Sequence, residues 1–355
     1  MFTFYLKPTD KCNLFCDHCF VPLEAKRRSQ KLSVEVINVL CDFIEKLGEP
    51  QVHVIWHGGE PLFHGVGLVE EYSSIIRSKL GKRVIFSLQT NLICDQKELG
   101  SLVRFVKEYT NSNIGTSFDF EIRKYRNSFE LFKQIWYQNV RFLVKNDIFV
   151  NVVITITKLV SVDKLFSFIR EMKNDGVKSF HLERFTPSGT GLLNKDKLYL
   201  NHREFFGFLK EVLERYISLL KEGFLFRLNP FDKMVKSYFF GKGGGCFSGD
   251  CMSRMITISP DGSVSNCPDL AFYEEYIFGN LLTDPPEKIL LNKKRLRTIK
   301  YQETFICPDC EYFNICHGGC PHHFPGFDRE SCKEFFRTFT ENVNTLYEFL
   351  CSYGI

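Results

Sequence analysis

The feature that most restricts this chain's fold is a strand-then-helix alternation repeated six times before about residue 223. Residues 2–7 read as a strand. Ser33 then reads as the N-cap of a helix whose apolar positions Ile37, Leu40, Cys41, Ile44 and Leu47 recur at helical spacing until Gly48 ends it. The pairing recurs as strand 51–56 with helix 66–80, 83–88 with 96–109, and 113–118 with 128–146. It continues as strand 150–157 with a helix marked by Leu165, Phe168, Ile169 and Met172, and as strand 178–184 with helix 202–221. Parallel strands joined by helices cross over right-handed, so six such units curl a sheet with helices outside. The expected class is α/β, a partial (β/α)6 TIM-like barrel over 1–223.

In such folds the loops at the carboxyl ends of the strands carry the chemistry. Those loops hold Cys12, Cys16 and Cys19 after the first strand, His57-Gly58-Gly59-Glu60-Pro61 after the second, and Gln89-Thr90-Asn91 after the third. Ser117-Phe118-Asp119 ends the fourth strand, and Thr155 and Thr157 end the fifth. Paired glycines let a ligand approach the backbone closely, and Glu60 beside them can receive an ammonium group. Three close thiols cannot all pair as disulfides, and a structural zinc site normally takes four ligands. The spacing therefore fits either an iron–sulfur cluster left one ligand short or a small zinc knuckle completed by His18.

The alternation stops near residue 224, and a second domain over 224–355 is expected. The glycine run 241–245 leads into Cys246, Cys251, Cys267, Cys307, Cys310, Cys316, Cys320 and Cys332. Residues 255–258 and 263–265, around Pro260-Asp261-Gly262, read as a hairpin presenting Cys267 at its exit, and a final helix runs from Ser331. Eight cysteines can saturate two metal centres, either iron–sulfur clusters or zinc ribbons. Cys41, Cys94 and Cys351 are left over as small hydrophobes.

Composition narrows the function. With 355 residues, 44% of them hydrophobic, the chain can bury a sizeable core, and its 37 Phe are spread as core filling. A net charge of +4 without a dense basic run interleaved with aromatics argues against nucleic acid. No segment has the length and apolarity of a membrane span or the form of a signal peptide, so a cytoplasmic protein is expected. In a reducing compartment, 14 cysteines point to metal ligation over disulfides.

Cys12-x3-Cys16-x2-Cys19, followed by Phe20, resembles the signature of radical S-adenosylmethionine (SAM) enzymes, and Gly58-Gly59-Glu60-Pro61 resembles their motif for the methionine amino group. Cys251-x10-Gly262-x4-Cys267, Cys307-x2-Cys310-x5-Cys316-x3-Cys320 and Cys332 resemble the SPASM domain of peptide- and protein-modifying members. The resemblance implies three [4Fe–4S] clusters and SAM. Cys12, Cys16 and Cys19 would hold the catalytic cluster. Cys246, Cys251, Cys267 and Cys320 would hold the first auxiliary cluster, and Cys307, Cys310, Cys316 and Cys332 the second. Gly58, Gly59 and Glu60 would meet the methionine end of SAM, and Gln89, Ser117, Asp119 and Arg126 correspond to further SAM contacts. One departure is visible: Asp119-Phe120-Glu121 stands where many relatives have Asp-Gly-Pro.

The implied chemistry is reductive cleavage of SAM and hydrogen abstraction from a C–H bond, with the electron of the substrate radical leaving through the auxiliary clusters. Asp269, two residues after Cys267, lies where sulfatase-maturating relatives place a carboxylate base. A first strand starting at residue 2 leaves no room for a separate leader-binding domain. The leading expectation is a precursor-peptide maturase that forms an oxidative carbon–carbon crosslink involving an aromatic residue. Its partners would be that peptide and an electron donor such as flavodoxin or ferredoxin. The rival enzyme is a sulfatase-maturating, formylglycine-generating one, favoured by Trp56-His57-Gly58-Gly59-Glu60-Pro61; the rival of another class is a zinc-ribbon binding module.

Overall fold

Among the described residues ten strands form: β1 (Phe2–Leu6), β2 (Val52–Trp56), β3 (Val84–Thr90), β4 (Asn113–Ser117), β5 (Phe149–Ile156), β6 (Ser179–Arg184), β7 (Arg227–Asn229), β8 (Met255–Ile258), β9 (Ser263–Ser265) and β10 (Ile277–Asn280). The computed structural model describes residues 1–241, 246, 251–304, 309–320, 323 and 327–352, with backbone alone for 301–304. The chain divides into two compact units. The first comprises Met1–Val152, Pro187–Asn194 and Met252–Thr298, and the second Val153–Thr186, Lys195–Cys251 and Ile299–Ile355.

In the first unit β1, β2, β3 and β4 run parallel, with Leu6 opposite Trp56, Trp56 opposite Leu88, and Gln89 opposite Gly115. Alternate residues separate the two faces of the sheet. Phe4, Leu6, Val52, Val54, Trp56, Val84, Phe86 and Leu88 are buried, and so are Val36, Ile37, Leu40, Phe43 and Ile44 of the helix Val34–Leu47. Each large apolar side chain so buried contributes about 1.5–3 kcal/mol. The two buried indoles satisfy their N–H groups: Trp56 Nε1 donates to Ser73 Oγ (2.9 Å) and Trp136 Nε1 to Thr116 Oγ1 (2.9 Å). The opposite strand face carries Tyr5, His53, Ser87, Gln89 and Ser117, all half-buried. Ser33, Asp95 and Ser128 cap the helices that follow β1, β3 and β4.

The hairpin of β8 and β9 forms as its turn chemistry predicts, but β8 joins β1 in parallel, with Thr3 opposite Met255 and Leu6 opposite Ile258. Residues 252–298 therefore pack with the first unit, although the sequence places them beyond the boundary near residue 224. An open edge of β1 accounts for this: its backbone groups need a ladder partner, and β8 supplies one.

In the second unit β6 pairs in parallel with β7, Phe180 lying opposite Leu228. The helix His202–Lys221 starts from a capping box of Asn201 and Glu204. It packs against the helix Arg329–Ser352 through aromatic pairs, among them Phe206 with Phe335 (5.5 Å between centroids) and Tyr216 with Phe349 (6.3 Å). Of the leftover cysteines, Cys41 is buried as expected, whereas Cys351 is exposed near the end of the last helix. Among the described residues, no helix is long and apolar enough to cross a membrane.

Candidate functional site

The loop after β1 carries Cys12, Cys16 and Cys19, and main-chain bonds define its path. Phe15 N–H donates to Lys124 O (2.9 Å) and Asp17 N–H to Ile122 O (2.8 Å), while Leu14 bridges Tyr125, so the loop lies antiparallel to the segment after β4. Gly191 N–H donates to Cys19 O (2.8 Å), and Asn194 Nδ2 to Asp17 O (2.8 Å). Asn91 Nδ2 reaches both Asn13 Oδ1 (2.7 Å) and Cys12 Sγ (3.7 Å), and Leu14 N–H points at the same sulfur (3.4 Å). Donors aimed at a sulfur favour its thiolate form.

Burial, joined by repulsion from Cys16 and Glu60, pushes the Cys12 thiol up to about 12. Burial raises Cys16 as well, against the opposing pull of Arg123. Burial disfavours the charge on Lys26, yet Cys19 and Cys12 hold it protonated. These thiols need cationic compensation to ionise, as a metal group would provide. Among the described residues, no three His, Cys, Asp or Glu side chains converge tightly enough to grip a single metal ion. Three thiolates are one short of a structural zinc site, so the loop by itself fits a cluster with one open position better than a closed zinc knuckle. His18 is engaged elsewhere: its Nε2 lies 3.2 Å from Asp119 Oδ2.

Gly58 and Gly59 let the loop after β2 close on the cysteine loop. A Cβ on Gly59 would stand 2.2 Å from Asp10 O and 2.3 Å from Lys11 O, and Gly58 has φ +130°. Gly59 N–H donates to Thr9 O (3.0 Å) and Glu60 N–H to Lys11 O (2.8 Å). The buried Glu60 carboxylate accepts from Thr90 Oγ1 (2.6 Å), Asn91 N–H (2.8 Å) and Leu62 N–H (3.1 Å), tying the second loop to the third. A carboxylate has about four lone-pair directions, so one remains for an ammonium group. Burial raises its pKa, against the lowering effect of these bonds.

Gln89 Nε2 donates to Ser117 Oγ (2.8 Å), bringing two expected contacts together. Asp119, fully buried, pairs with Arg123, whose Nε lies 2.9 Å away. Arg126 is exposed and lies against the ring of Tyr125 at 5.2 Å. The guanidinium beside Cys16 belongs to Arg123, which sequence reasoning missed together with Lys26. The signal for Arg123 was its position four residues past Asp119, in the segment that departs from the relatives' pattern.

Cys267 and Asp269 belong to the first unit, with Asp269 half-buried in the short helix Pro268–Leu270. Phe272, three residues on, lies against the buried Lys7 at the end of β1, with Nζ 4.1 Å from the ring centroid. The segment carrying Asp269 thus runs beside the start of the cysteine loop. In the second unit Cys316 ends the helix Phe313–Cys316, and Phe313 N–H donates to Cys310 O (3.0 Å). Tyr312 stacks on Phe336 (5.8 Å), bringing the Cys310–Cys316 stretch to the helix that bears Cys332. Burial disfavours the charge on Arg184, and Cys320 favours it. Cys246, Cys251 and Cys320 also belong to the second unit; Cys307 lies outside the described residues, as do Gly243, Gly244 and Gly245.

Residues 6–163 match the Radical SAM superfamily, and residues 246–321 match SPASM, an iron-sulfur cluster-binding domain. The chain is a radical SAM protein with a SPASM domain. Relatives include the Fe-coproporphyrin III synthase of Methanosarcina barkeri, 24% identical over 347 residues (87% of this chain, 80% of that one). A serine-type anaerobic sulfatase-maturating enzyme of Bacteroides thetaiotaomicron is 21% identical over 342 residues (87% and 80%). Among solved structures, anSMEcpe with bound AdoMet superposes with a TM-score of 0.82 at 20% identity, covering 98% of this chain and 99% of that one. SuiB of Streptococcus suis bound to its precursor peptide SuiA gives 0.62 at 12%, covering 90% and 72%. Both likenesses establish the radical SAM fold, with its iron–sulfur and SAM chemistry following from the two matched domains.

Proposed function

We propose that this radical SAM protein is a peptide maturase that oxidatively crosslinks a side chain of a precursor peptide, the new bond being carbon–carbon and involving an aromatic residue. Support for a peptide-modifying reaction comes from the segment of Asp269: Phe272, three residues on, lies against Lys7 at the end of β1, so this stretch of chain runs beside the start of the cysteine loop. Cys12, Cys16 and Cys19 would hold the catalytic [4Fe–4S] cluster; Cys246, Cys251, Cys267 and Cys320 would hold one auxiliary cluster, and Cys307, Cys310, Cys316 and Cys332 the other. Gly58, Gly59 and the free lone pair of Glu60 would take the methionine end of SAM, and Gln89, Ser117 and Asp119 line the same loops. When bound, SAM and the reduced cluster supply the 5′-deoxyadenosyl radical that takes a hydrogen atom from the peptide. Asp269 would accept a proton at its carboxylate, and the groups held by the C-terminal cysteines would supply the acceptor for the remaining electron, so that the peptide loses two hydrogens in all. Peptide-bound structures of anSMEcpe and SuiB support a peptide substrate.

A second reading, formylglycine formation, is favoured by the end-to-end superposition on anSMEcpe and by Trp56-His57-Gly58-Gly59-Glu60-Pro61. Serine oxidation also removes two hydrogens, so intact mass alone does not separate the two. The test is anaerobic incubation of the iron-loaded protein with a short peptide encoded beside its gene, followed by tandem mass spectrometry and hydrazide trapping. A crosslinked fragment pattern without trapping is expected; a trapped aldehyde at Ser or Cys overturns the crosslink. Asp269→Asn should retain SAM cleavage and lose product, and an unchanged product rate removes Asp269 from the site.

A further inference from the structure

We infer that Asn91 sets the reduction potential of the catalytic cluster by donating a hydrogen bond to the sulfur of Cys12, a positioning role in the reductive step that acts through that cysteine. Asn91 Nδ2 lies 3.7 Å from Cys12 Sγ, and Leu14 N–H reaches the same atom at 3.4 Å. The sulfur therefore accepts from two N–H groups, one fixed by the main chain of its own loop and one carried by a side chain from the loop after β3.

The orientation of the amide follows from its neighbours. Ile93 N–H donates to Asn91 Oδ1 (2.9 Å), which makes the other terminal atom the NH2 group and turns it toward Asn13 Oδ1 (2.7 Å) and Cys12. The main chain of Asn91 is tied as well, its N–H donating to Glu60 Oε2 (2.8 Å). The turn that follows is held by Asn139 of the helix Phe129–Lys145, whose Nδ2 donates to Leu92 O (2.7 Å) and Cys94 O (3.1 Å). Asn13 Nδ2 closes the circuit on Ile93 O (3.0 Å). Asn91 is 5% exposed, so water does not compete for the amide. A buried asparagine held at both ends of its side chain is aimed at the sulfur.

Electrostatics gives the sign. Reduction adds one electron, taken from an external one-electron donor that is itself oxidised, and no atom moves. The added negative charge falls partly on the thiolate sulfurs, so an N–H dipole pointing at Cys12 stabilises the reduced state more than the oxidised one and raises the potential. Burial strengthens the effect, because a low local dielectric screens the dipole little. Removing this donor should shift the oxidised-to-reduced ratio at a fixed applied potential about tenfold, which for one electron is about 59 mV.

The inference rests on the reading of Cys12 as a ligand of the catalytic cluster and not on the crosslink. Failure of that reading shows separately, as a Cys12→Ala protein that keeps its SAM-responsive signal. The test is a potentiometric titration of the iron-loaded protein followed by electron paramagnetic resonance, reading the signal that changes on addition of SAM. Asn91→Ala should lower its potential by the amount above. Asn91→Ser, whose hydroxyl can still accept from Ile93 N–H but is too short to reach Cys12, should match that fall with full iron content. Asn13→Ala cuts the side-chain tie to Asn91 and leaves the donor on Cys12, so it should keep the potential of the unaltered chain; in all three variants, iron–sulfur signals indifferent to SAM should stay in place. An unchanged potential in Asn91→Ser, an equal fall in Asn13→Ala, or loss of the SAM-responsive cluster from both Asn91 variants would each overturn the proposal.

Discussion

The two cysteine-bearing regions are held by opposite means. Main-chain bonds to residues 122–125 and 191, with glycines permitting close backbone contact, set the Cys12–Cys19 loop. Side-chain packing sets the Cys310–Cys316 stretch, through Tyr312 on Phe336 and through Ser237 Oγ donating to Ile315 O (2.9 Å). Backbone anchoring fixes the positions of Cys12, Cys16 and Cys19 whatever side chains lie between them. Packing makes Cys310 and Cys316 only as firmly placed as the aromatic layer beside them.

The largest effect expected to separate the two regions is on chemistry. Cys16→Ala should lower SAM cleavage about 10³-fold or more, because a catalytic cluster has no spare ligand. Cys332→Ala should leave SAM cleavage in place and remove the oxidised peptide. Equal loss in both variants, read as 5′-deoxyadenosine and product by chromatography, would merge the roles assigned to the two regions.

Stability provides the next test. Gly59→Ala forces a methyl against two carbonyls of the cysteine loop and should cost about 3 kcal/mol or more, with loss of catalytic-cluster iron. Phe336→Ala empties a buried ring position at a cost of about 3–5 kcal/mol and should loosen auxiliary iron first. Iron counts and chemical denaturation on both variants check the order; catalytic iron lost first from Phe336→Ala would contradict it.

The smallest effect is pH dependence confined to the second unit. Burial, reinforced by Arg184, pushes His202 down to about 4 from an ordinary 6.5. The unfolded chain binds that proton at higher pH than the folded one, so stability is full above pH 6.5 and falls as pH drops toward about 4. In His202→Phe, whose ring can occupy the space beside Phe206 and Phe327, this part of the slope should vanish from denaturation curves. A slope equal to that of the unaltered chain would assign it to other groups.

The parallel α/β frame and the cysteine motifs were legible in the sequence because both are local patterns: apolar period, caps and spacing. Arg123 was not, because which arginine turns inward depends on how 119–126 folds back against the cysteine loop. Glu60 was found for its charge, but its ties to Thr90 and Asn91 link loops 30 residues apart and leave no local trace. The pairing of β8 with β1 was hidden for the same reason.

That pairing also imposes an order in time. Lys7 N–H donates to Ile258 O, so the edge of β1 finds its neighbour about 250 residues after β1 leaves the ribosome. Until then the strand that opens the cysteine loop presents unpaired backbone, open to pairing with other chains. Truncations ending before residue 255 should therefore aggregate, and, with Cys12, Cys16 and Cys19 as the proposed cluster ligands, fail to hold iron.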